Sequence, residues 1–545
     1  MPRHASQNAS QSAPRKAPNL LLLIADQLTP GALPAYGHRV VQAPRLQRLA
    51  EEGVVFDSAY CASPLCAPAR HGLLTGRLPS TFGAFDNASE LPSEVPTLAH
   101  HLRRRGYLAI LAGKMHFTGA DQLHGYEERL TTDIYPADFG WTPDWSRPGE
   151  RLPWYHNMDS VLQAGRCVRS NQLDFDDEVV FAAQRRLFDL ARQPDGRPFF
   201  MTVSLTHPHD PYAIADPWWS RHRDEDIDLP RLRAADVRDD PHTARLRRAS
   251  LADVQPASEA QVRDARRGYY GAISYVDDQF GKLLDTLEAT GLRDDTIVVL
   301  ISDHGDMLGE RGLWYKMSFF EPSARVPLIV HAPRRFRPGR VAHSVSLVDL
   351  LPTLLDLAHD GTEGTEGTEG APTPDIQGRS LLPHLLRTGG HDEAFAEYLG
   401  EIALAPIVMI RRGSRKFIHS PADPDQLYDL VADPQELHNL ADEPAHADEV
   451  RALREEAARR WDLPALDDQV RRSQRQRRLV FEADGQGRRP TWDFQPRVDA
   501  SRQYVRSHLT LDQIEAMARF PVPPAVAAPR PSHQDVGTTT STPHP

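Results

Sequence analysis

Unbroken apolar runs, rather than alternating ones, set the pattern of this chain. They are Asn19 to Ala25, Leu108 to Ala112, Phe199 to Leu205 and Thr296 to Ile301. Each has the length of a strand, and a strand apolar at every position is buried on both faces, as in a parallel sheet. Val54 to Phe56 predicts one more short strand. Between these runs the apolar positions recur at helical spacing: over 44–52, over Thr97 to Arg105 with Gly106 as stop, over Asp177 to Arg192, and over Val262 to Thr290. In the last of these, Ile273, Val276, Phe280, Leu283 and Leu287 share one face, and Gly291 ends the helix. The alternation predicts an α/β fold with a large, mostly parallel sheet flanked by helices.

The pattern changes further on. Ile407 to Ile410 and Lys416 to Ile418 read as short strands of a smaller antiparallel α+β subdomain. The expected division is a catalytic domain at 18–390, a subdomain at 391–470 and a C-terminal extension at 471–520, between disordered ends at 1–17 and 521–545. Residues 120–175 read as long loops over a site, 215–255 as a surface excursion, the Thr-Glu-Gly repeat at 362–370 as a surface loop, and the basic run 470–478 as a linker or exposed helix.

Polar residues gather where the apolar strands end: Asp26 and Gln27, Lys114 and His116, His207 and His209, Asp303 and His304. In an open α/β sheet ligands bind in the crevice at those ends. Asp26 and Asp303 offer hard oxygen ligands and Gln27 a carbonyl oxygen, a set suited to Ca²⁺, Mg²⁺ or Mn²⁺; the His304 nitrogen tilts the choice toward Mn²⁺. The stretch Ser63 to Arg70 adds a cysteine just before a helix start, with Pro68 in the first turn, Arg70 one turn on and Gly76 as stop. Alone it reads as a capping turn around a small buried cysteine. Beside four polar strand ends it reads as the positive end of a helix that favours an anion and a reactive sulfur.

Composition narrows the class. A net charge of −12 argues against non-specific nucleic-acid binding. The 3 cysteines, Cys61, Cys66 and Cys167, make no CxxC pair, which argues against a disulfide framework or a thiolate zinc site and for a reducing compartment. The apolar run after Arg15 and Lys16 is followed by Asp26 instead of a small-residue cleavage site, so it reads as a buried strand of a cytoplasmic chain without a membrane span.

Cys66-Ala67-Pro68-Ala69-Arg70 resembles the Cys-x-Pro-x-Arg signature of the type I sulfatases of the alkaline phosphatase superfamily. Leu23 to Gln27, Gly113 to His116, Thr206 to His209 and Ser302 to Gly305 follow in that family's order. Asp-Gln in place of the more usual Asp-Asp and His304 in place of Asn resemble both the choline-sulfatases and the related phosphonate monoester hydrolases within it; the segments Thr491 to Pro496 and Arg502 to Arg506 resemble the C-terminal extension of the choline-sulfatases and favour those. Ala69 replaces a common Ser, and the Thr-Glu-Gly insertion has no counterpart.

The resemblance implies an alkaline phosphatase/sulfatase-like fold and a set of roles. Cys66 would be oxidised to formylglycine (3-oxoalanine) by a maturation enzyme that reads Pro68 and Arg70. Asp26, Gln27, Asp303, His304 and an oxygen on the modified Cys66 would bind one divalent metal, Ca²⁺ or Mn²⁺, with Mg²⁺ as a further option. Arg70, Lys114 and Lys316 would hold the nucleophile and the sulfate oxygens. The formylglycine hydrate would attack sulfur in line while His207 protonates the leaving alcohol. His116 would then deprotonate the second hydroxyl and release sulfate; His209 is left without a role. The implied substrate is choline-O-sulfate, whose trimethylammonium group needs aromatic rings and a carboxylate. Trp141, His156, Asn157, Glu397 and Asp493 are the chosen contacts, with Trp145, Trp154, Tyr155, Glu401, Trp492 and Phe494 as further candidates and Asn87 near the leaving oxygen. The extension implies a homo-oligomer, a dimer or a tetramer. The alternatives are a phosphonate or phosphate ester hydrolase, or an arylsulfatase, of the same superfamily. A binding protein that keeps only the fold would have lost a metal or nucleophile position, and none is lost.

Overall fold

A computed structural model describes residues 17–192, 196–238, 240–358, 375–486 and 509–516. The expectations for residues 1–16, the Thr-Glu-Gly repeat, Trp492, Asp493, Phe494 and 521–545 lie outside those ranges.

Eight strands form the main sheet, in the order Gly339–Ser346, Val54–Tyr60, Arg325–His331, Thr296–Ile301, Asn19–Ala25, Phe199–Leu205, Leu108–Gly113 and Glu128–Arg129. Asn19–Ala25 is central and parallel to both neighbours, with Leu20 opposite Phe200 on one side and Ile297 on the other. Every residue of it is buried, which is why its sequence is a continuous apolar run. Arg325–His331 alone runs antiparallel to its two neighbours, so the sheet is mixed but mostly parallel, as expected. Helices Cys66–Thr75, Asn171–Arg192 and Glu259–Ala289 flank it. Ser258 starts the longest with a reciprocal side-chain cap to Gln261. A second sheet of four antiparallel strands, Glu393–Tyr398, Ile407–Arg412, Arg415–Ser420 and Asp423–Asp429, gives the expected smaller unit.

Several expectations need correction. The strand at Val54 continues to Tyr60, and the helix expected from Asp177 starts at Asn171. The excursion at 215–255 contains the helix Pro241–Ala249, which buries His242 and Leu246. The basic run 470–478 is no linker. It belongs to the helix Leu463–Asp484, whose Gln474 and Arg477 are buried because acceptors and donors far back in the chain meet them.

Candidate active site

The polar strand ends meet the start of the Cys66 helix in one buried cluster. Leu65 is extended and caps the helix, so Cys66 is its first residue and lies at the positive end of the helix dipole. Gly76 closes the other end in the left-handed conformation, φ 65°. Cys66 Sγ lies 3.2 Å from His304 Nε2. His304 Nδ1 donates to the Gly305 carbonyl at 3.1 Å, which leaves the Nε2 lone pair facing the cluster.

Asp26, Cys66, Asp303 and His304 bring potential ligand atoms within 4.8 Å of one another. Asp26 Oδ1 is buried and has no hydrogen-bond partner, an expensive state unless a cation fills it. The Gln27 amide nitrogen on the backbone donates to Asp303 Oδ1 at 3.0 Å. Its side-chain nitrogen donates to Asp306 Oδ2 at 2.6 Å and Asp210 Oδ1 at 3.3 Å, which turns Oε1 toward Lys316 Nζ, 2.6 Å away. Two carboxylates, an amide oxygen and an imidazole fit a divalent cation of the Ca²⁺, Mg²⁺ and Mn²⁺ class.

Cations surround these ligands. Arg70 Nε donates to Asp303 Oδ2 at 2.8 Å, and its Nη2 lies 3.3 Å from Asp26 Oδ2. Arg70 Nη1 reaches the Lys114 carbonyl at 2.6 Å and Ser204 Oγ at 2.8 Å, which ties one side of the guanidinium to the strand ends and leaves Nη2 without a hydrogen bond. Lys114 Nζ pairs with Asp26. Burial alone would raise Asp26, but Lys114, His209 and Arg70 outweigh it and hold the carboxyl well below the usual range. Lys316 donates to His209 Nε2 at 2.8 Å, and His209 Nδ1 donates to the Asp210 carbonyl at 2.7 Å. Burial would lower the Lys316 ammonium; its interactions with Cys66 and with the Asp210 and Asp26 carboxylates instead keep it above its ordinary value. Burial, then Lys114 and Arg70, press His116 far below the ordinary imidazole range, so it is neutral. Both of its ring nitrogens are buried without a partner, between Tyr135 and Trp141.

Most of the sequence-predicted residues come together here; three do not. His207 Nδ1 bonds Asp176 Oδ2 at 2.6 Å, and its ring packs edge-on against Tyr275. It faces the neighbouring helices, and it is His209 that reaches Lys316. Glu397 spends its carboxylate on Ser80, 2.8 Å from the hydroxyl, and on the Trp461 indole, 3.0 Å. It joins two structural elements and is no pocket wall. Asn157 commits Oδ1 to the Asp159 amide at 2.7 Å, a turn contact. Trp141 and His156 remain beside the cluster: Trp141 stands edge-on to His116, and His156 stacks on Tyr315 with Nδ1 3.6 Å from Asp210. Asn87 Oδ1 takes the Ala67 amide at 3.0 Å, at the start of the Cys66 helix.

Glu401, only an alternative in the sequence, is a carboxylate that the structure leaves available. It is buried, its Oε2 has no partner, and burial pushes it up to about 7. Its charge acts on Tyr155 and is in turn acted on by Asp86, Lys316 and His304. A Gly-Glu step just beyond a strand that ends in Tyr398 is the signal that could have singled it out.

Residues 18–360 match the sulfatase family model. The chain belongs to the sulfatase family. It is a sulfuric ester hydrolase of the alkaline phosphatase superfamily, and members of the sulfatase family use a metal and formylglycine. Residues 468–520 match the model described as choline sulfatase enzyme C terminal, and 309–461 that of the N-sulphoglucosamine sulphohydrolase C-terminal region. The choline-sulfatase of Rhizobium meliloti (strain 1021) is 46% identical over 512 residues, covering 92% of this chain and 98% of that one. The multifunctional alkaline phosphatase superfamily protein PehA of Trinickia caryophylli is 28% identical, covering 82% and 96%. The crystal structure of the phosphonate monoester hydrolase of Agrobacterium radiobacter shares the sulfatase fold, with a TM-score of 0.61 at 24% identity over 83% of this chain and 96% of that one.

Proposed function

We propose that this sulfatase hydrolyses choline-O-sulfate to choline and sulfate. The observation that carries the reading past the family level is Glu401, a buried carboxylate with an open oxygen whose charge acts on Tyr155 and is acted on by Lys316 and His304. A quaternary ammonium ion satisfies such a carboxylate without a proton, and the adjoining rings of Trp141, Trp154 and Tyr155 would supply its aromatic contacts. The choline-sulfatase relative and the matched C-terminal model support the same choice.

Asp26, Gln27, Asp303 and His304 would hold the divalent cation, of Ca²⁺ or Mn²⁺ type, next to Cys66 in its oxidised form. When present, the cation neutralises ester oxygens and the hydrated formylglycine supplies the attacking hydroxyl. Arg70 anchors Asp26 and Asp303 and steadies the nucleophile's surroundings. Lys114 and Lys316 face the sulfate oxygens. His209 takes over from His207: its Nε2 accepts from the Lys316 ammonium, so the proton for the leaving alcohol oxygen comes from the Lys316–His209 pair. His116 accepts a proton at a ring nitrogen to release sulfate; a neutral, unpartnered imidazole is poised for that. Asn87 lies near the leaving oxygen.

The same reading includes transient contact with a maturation enzyme, a homo-oligomer and a cytoplasmic location. Among the described residues the three cysteines form no disulfide, and no helix is long and apolar enough to cross a membrane. Relative kcat/KM on choline-O-sulfate and on phenylphosphonate monoesters tests the substrate, with mass spectrometry of the Cys66 peptide alongside. Preference for the phosphonate, or an unmodified thiol in active protein, sinks the corresponding half of the proposal.

A further inference from the structure

One face of the helix Leu463–Asp484 grips three stretches that lie far apart in the sequence. Arg471, Gln474, Arg477, Arg478 and Phe481 recur at three- and four-residue steps and so share that face. Arg477 is buried and forks onto Asp86, with Nη1 and Nη2 at 2.6 and 2.7 Å from its two oxygens, and Nη1 also reaches Thr142 Oγ1 at 3.3 Å. Gln474 Oε1 accepts the Trp145 amide at 2.9 Å. Arg471 donates to the Trp145 carbonyl at 2.8 Å and the Leu404 carbonyl at 2.7 Å. Arg478 pairs with Asp144. The Phe481 ring lies so close to Gly140 that a Cβ there would meet it at 3.2 Å.

Each gripped stretch carries a residue of the pocket. Asn87 follows Asp86 and bonds to the first turn of the Cys66 helix. Trp141 stands between Gly140 and Thr142. Glu401 lies between Leu404 and Gly400, and the Gly400 carbonyl takes the Trp145 indole N–H at 2.8 Å. Arg477 also cancels the charge of Asp86, a like charge that acts on Glu401. Arg471, Gln474 and Arg477 fall inside the C-terminal model match that starts at 468.

We propose that Arg477, with Arg471 and Gln474, is a positioning element for the cationic end of the substrate: it fixes the spacing of Trp141 and Glu401 without touching substrate itself. This rests on the choline reading of the pocket. A forked, buried Arg–Asp pair suits the task because its geometry is rigid, and because removing one partner leaves the other charge stranded.

The test compares Arg477→Met, Arg477→Lys, Gln474→Leu and the double variant Asp86→Asn/Arg477→Met with wild type, as metal-loaded, matured enzyme. KM and kcat are measured on choline-O-sulfate and on p-nitrophenyl sulfate, which has no cationic end. Arg477→Met is expected to raise KM for choline-O-sulfate about tenfold or more while kcat/KM on the aryl sulfate stays within about threefold. Arg477→Lys and the double variant recover part of the loss, the latter because no carboxylate is left unpaired. Equal losses on both substrates, or an unmoved KM, overturn the proposal. Should Arg477→Met fail to fold, Gln474→Leu removes a single hydrogen bond and must show the same split. Wild-type preference between choline-O-sulfate and phenylphosphonate monoesters decides the substrate reading by itself. If that reading fails, amide exchange decides the frame: faster exchange in 86–87, 141–145 and 400–404 of Arg477→Met upholds it, and unchanged exchange overturns it.

Discussion

Glu401→Gln separates recognition from stability, because the two respond with opposite sign. Burial holds the Glu401 carboxyl at about 7 in place of its ordinary value near 4.5. A group raised in this way adds stability that is fully present below the unfolded pKa and is lost as pH climbs through the folded one. The window therefore runs from about pH 4.5 to just above 7. Over it the folded protein without substrate loses roughly 3 kcal/mol, at about 1.4 kcal/mol for each tenfold step. Glutamine keeps the shape and never ionises. Thermal or urea unfolding of substrate-free Glu401→Gln should match wild type near pH 5 and exceed it by up to roughly 3 kcal/mol at pH 8.5.

Binding should go the other way. The ionised carboxylate faces a permanent cation, and a pair about 5 Å apart at an effective dielectric near 20 is worth roughly 3 kcal/mol. Losing it should raise KM for choline-O-sulfate roughly ten- to hundredfold, with kcat much less affected. Wild-type KM should fall between pH 6 and 8 as Glu401 ionises, and that slope should vanish in Glu401→Gln. Sulfate release measured from pH 6 to 9, beside the melts, gives both readouts. An unchanged KM, or a variant less stable than wild type at pH 8.5, refutes the placing of Glu401 as the open carboxylate.

Two further outcomes follow from the site. His209→Ala should cut kcat/KM on choline-O-sulfate by about 10²- to 10⁴-fold, and far less on p-nitrophenyl sulfate, whose phenolate leaves without a proton; His207→Ala should lower the melting temperature through its lost bond to Asp176 and leave the ratio of the two substrates unchanged. Chelation should abolish activity and lower the melting temperature, since a ligand at about a hundred times its Kd contributes about 2.7 kcal/mol to the folded state; calorimetric titration back with Ca²⁺ and Mn²⁺ separately shows which cation restores both, and chelation without effect on either would remove the metal from the proposal.

The parts of the fold that the sequence makes legible are those where burial alone chooses the residue. Asn19–Ala25, Phe199–Leu205 and Thr296–Ile301 are apolar throughout because both faces are covered, and their ends are polar because the crevice is there. The Cys66 helix is legible for a local reason, a proline in its first turn and a left-handed glycine at its end. Arg325–His331 and Gly339–Ser346 escape because their neighbours in the sheet, near residues 54–60, are set by topology and not by periodicity.

The misplaced residues share a different cause: a polar side chain is assigned by its partner, and the partner is remote. His207 and His209 sit two residues apart after the same strand and look alike in sequence. Asp176, on a separate helix, takes the first, and Lys316 takes the second. Glu397 and Glu401 differ in the same way, since Ser80 and Trp461 claim Glu397 and no donor among the described residues claims the Glu401 Oε2. Arg477 looks like one more charge in a basic run until Asp86, 391 positions earlier, neutralises it. A buried ionic group with a distant partner is therefore invisible to composition and spacing, yet it is where this chain sets the shape of its pocket. Glu401, whose Oε2 no donor among the described residues claims, is a buried carboxylate free to meet a cation from outside.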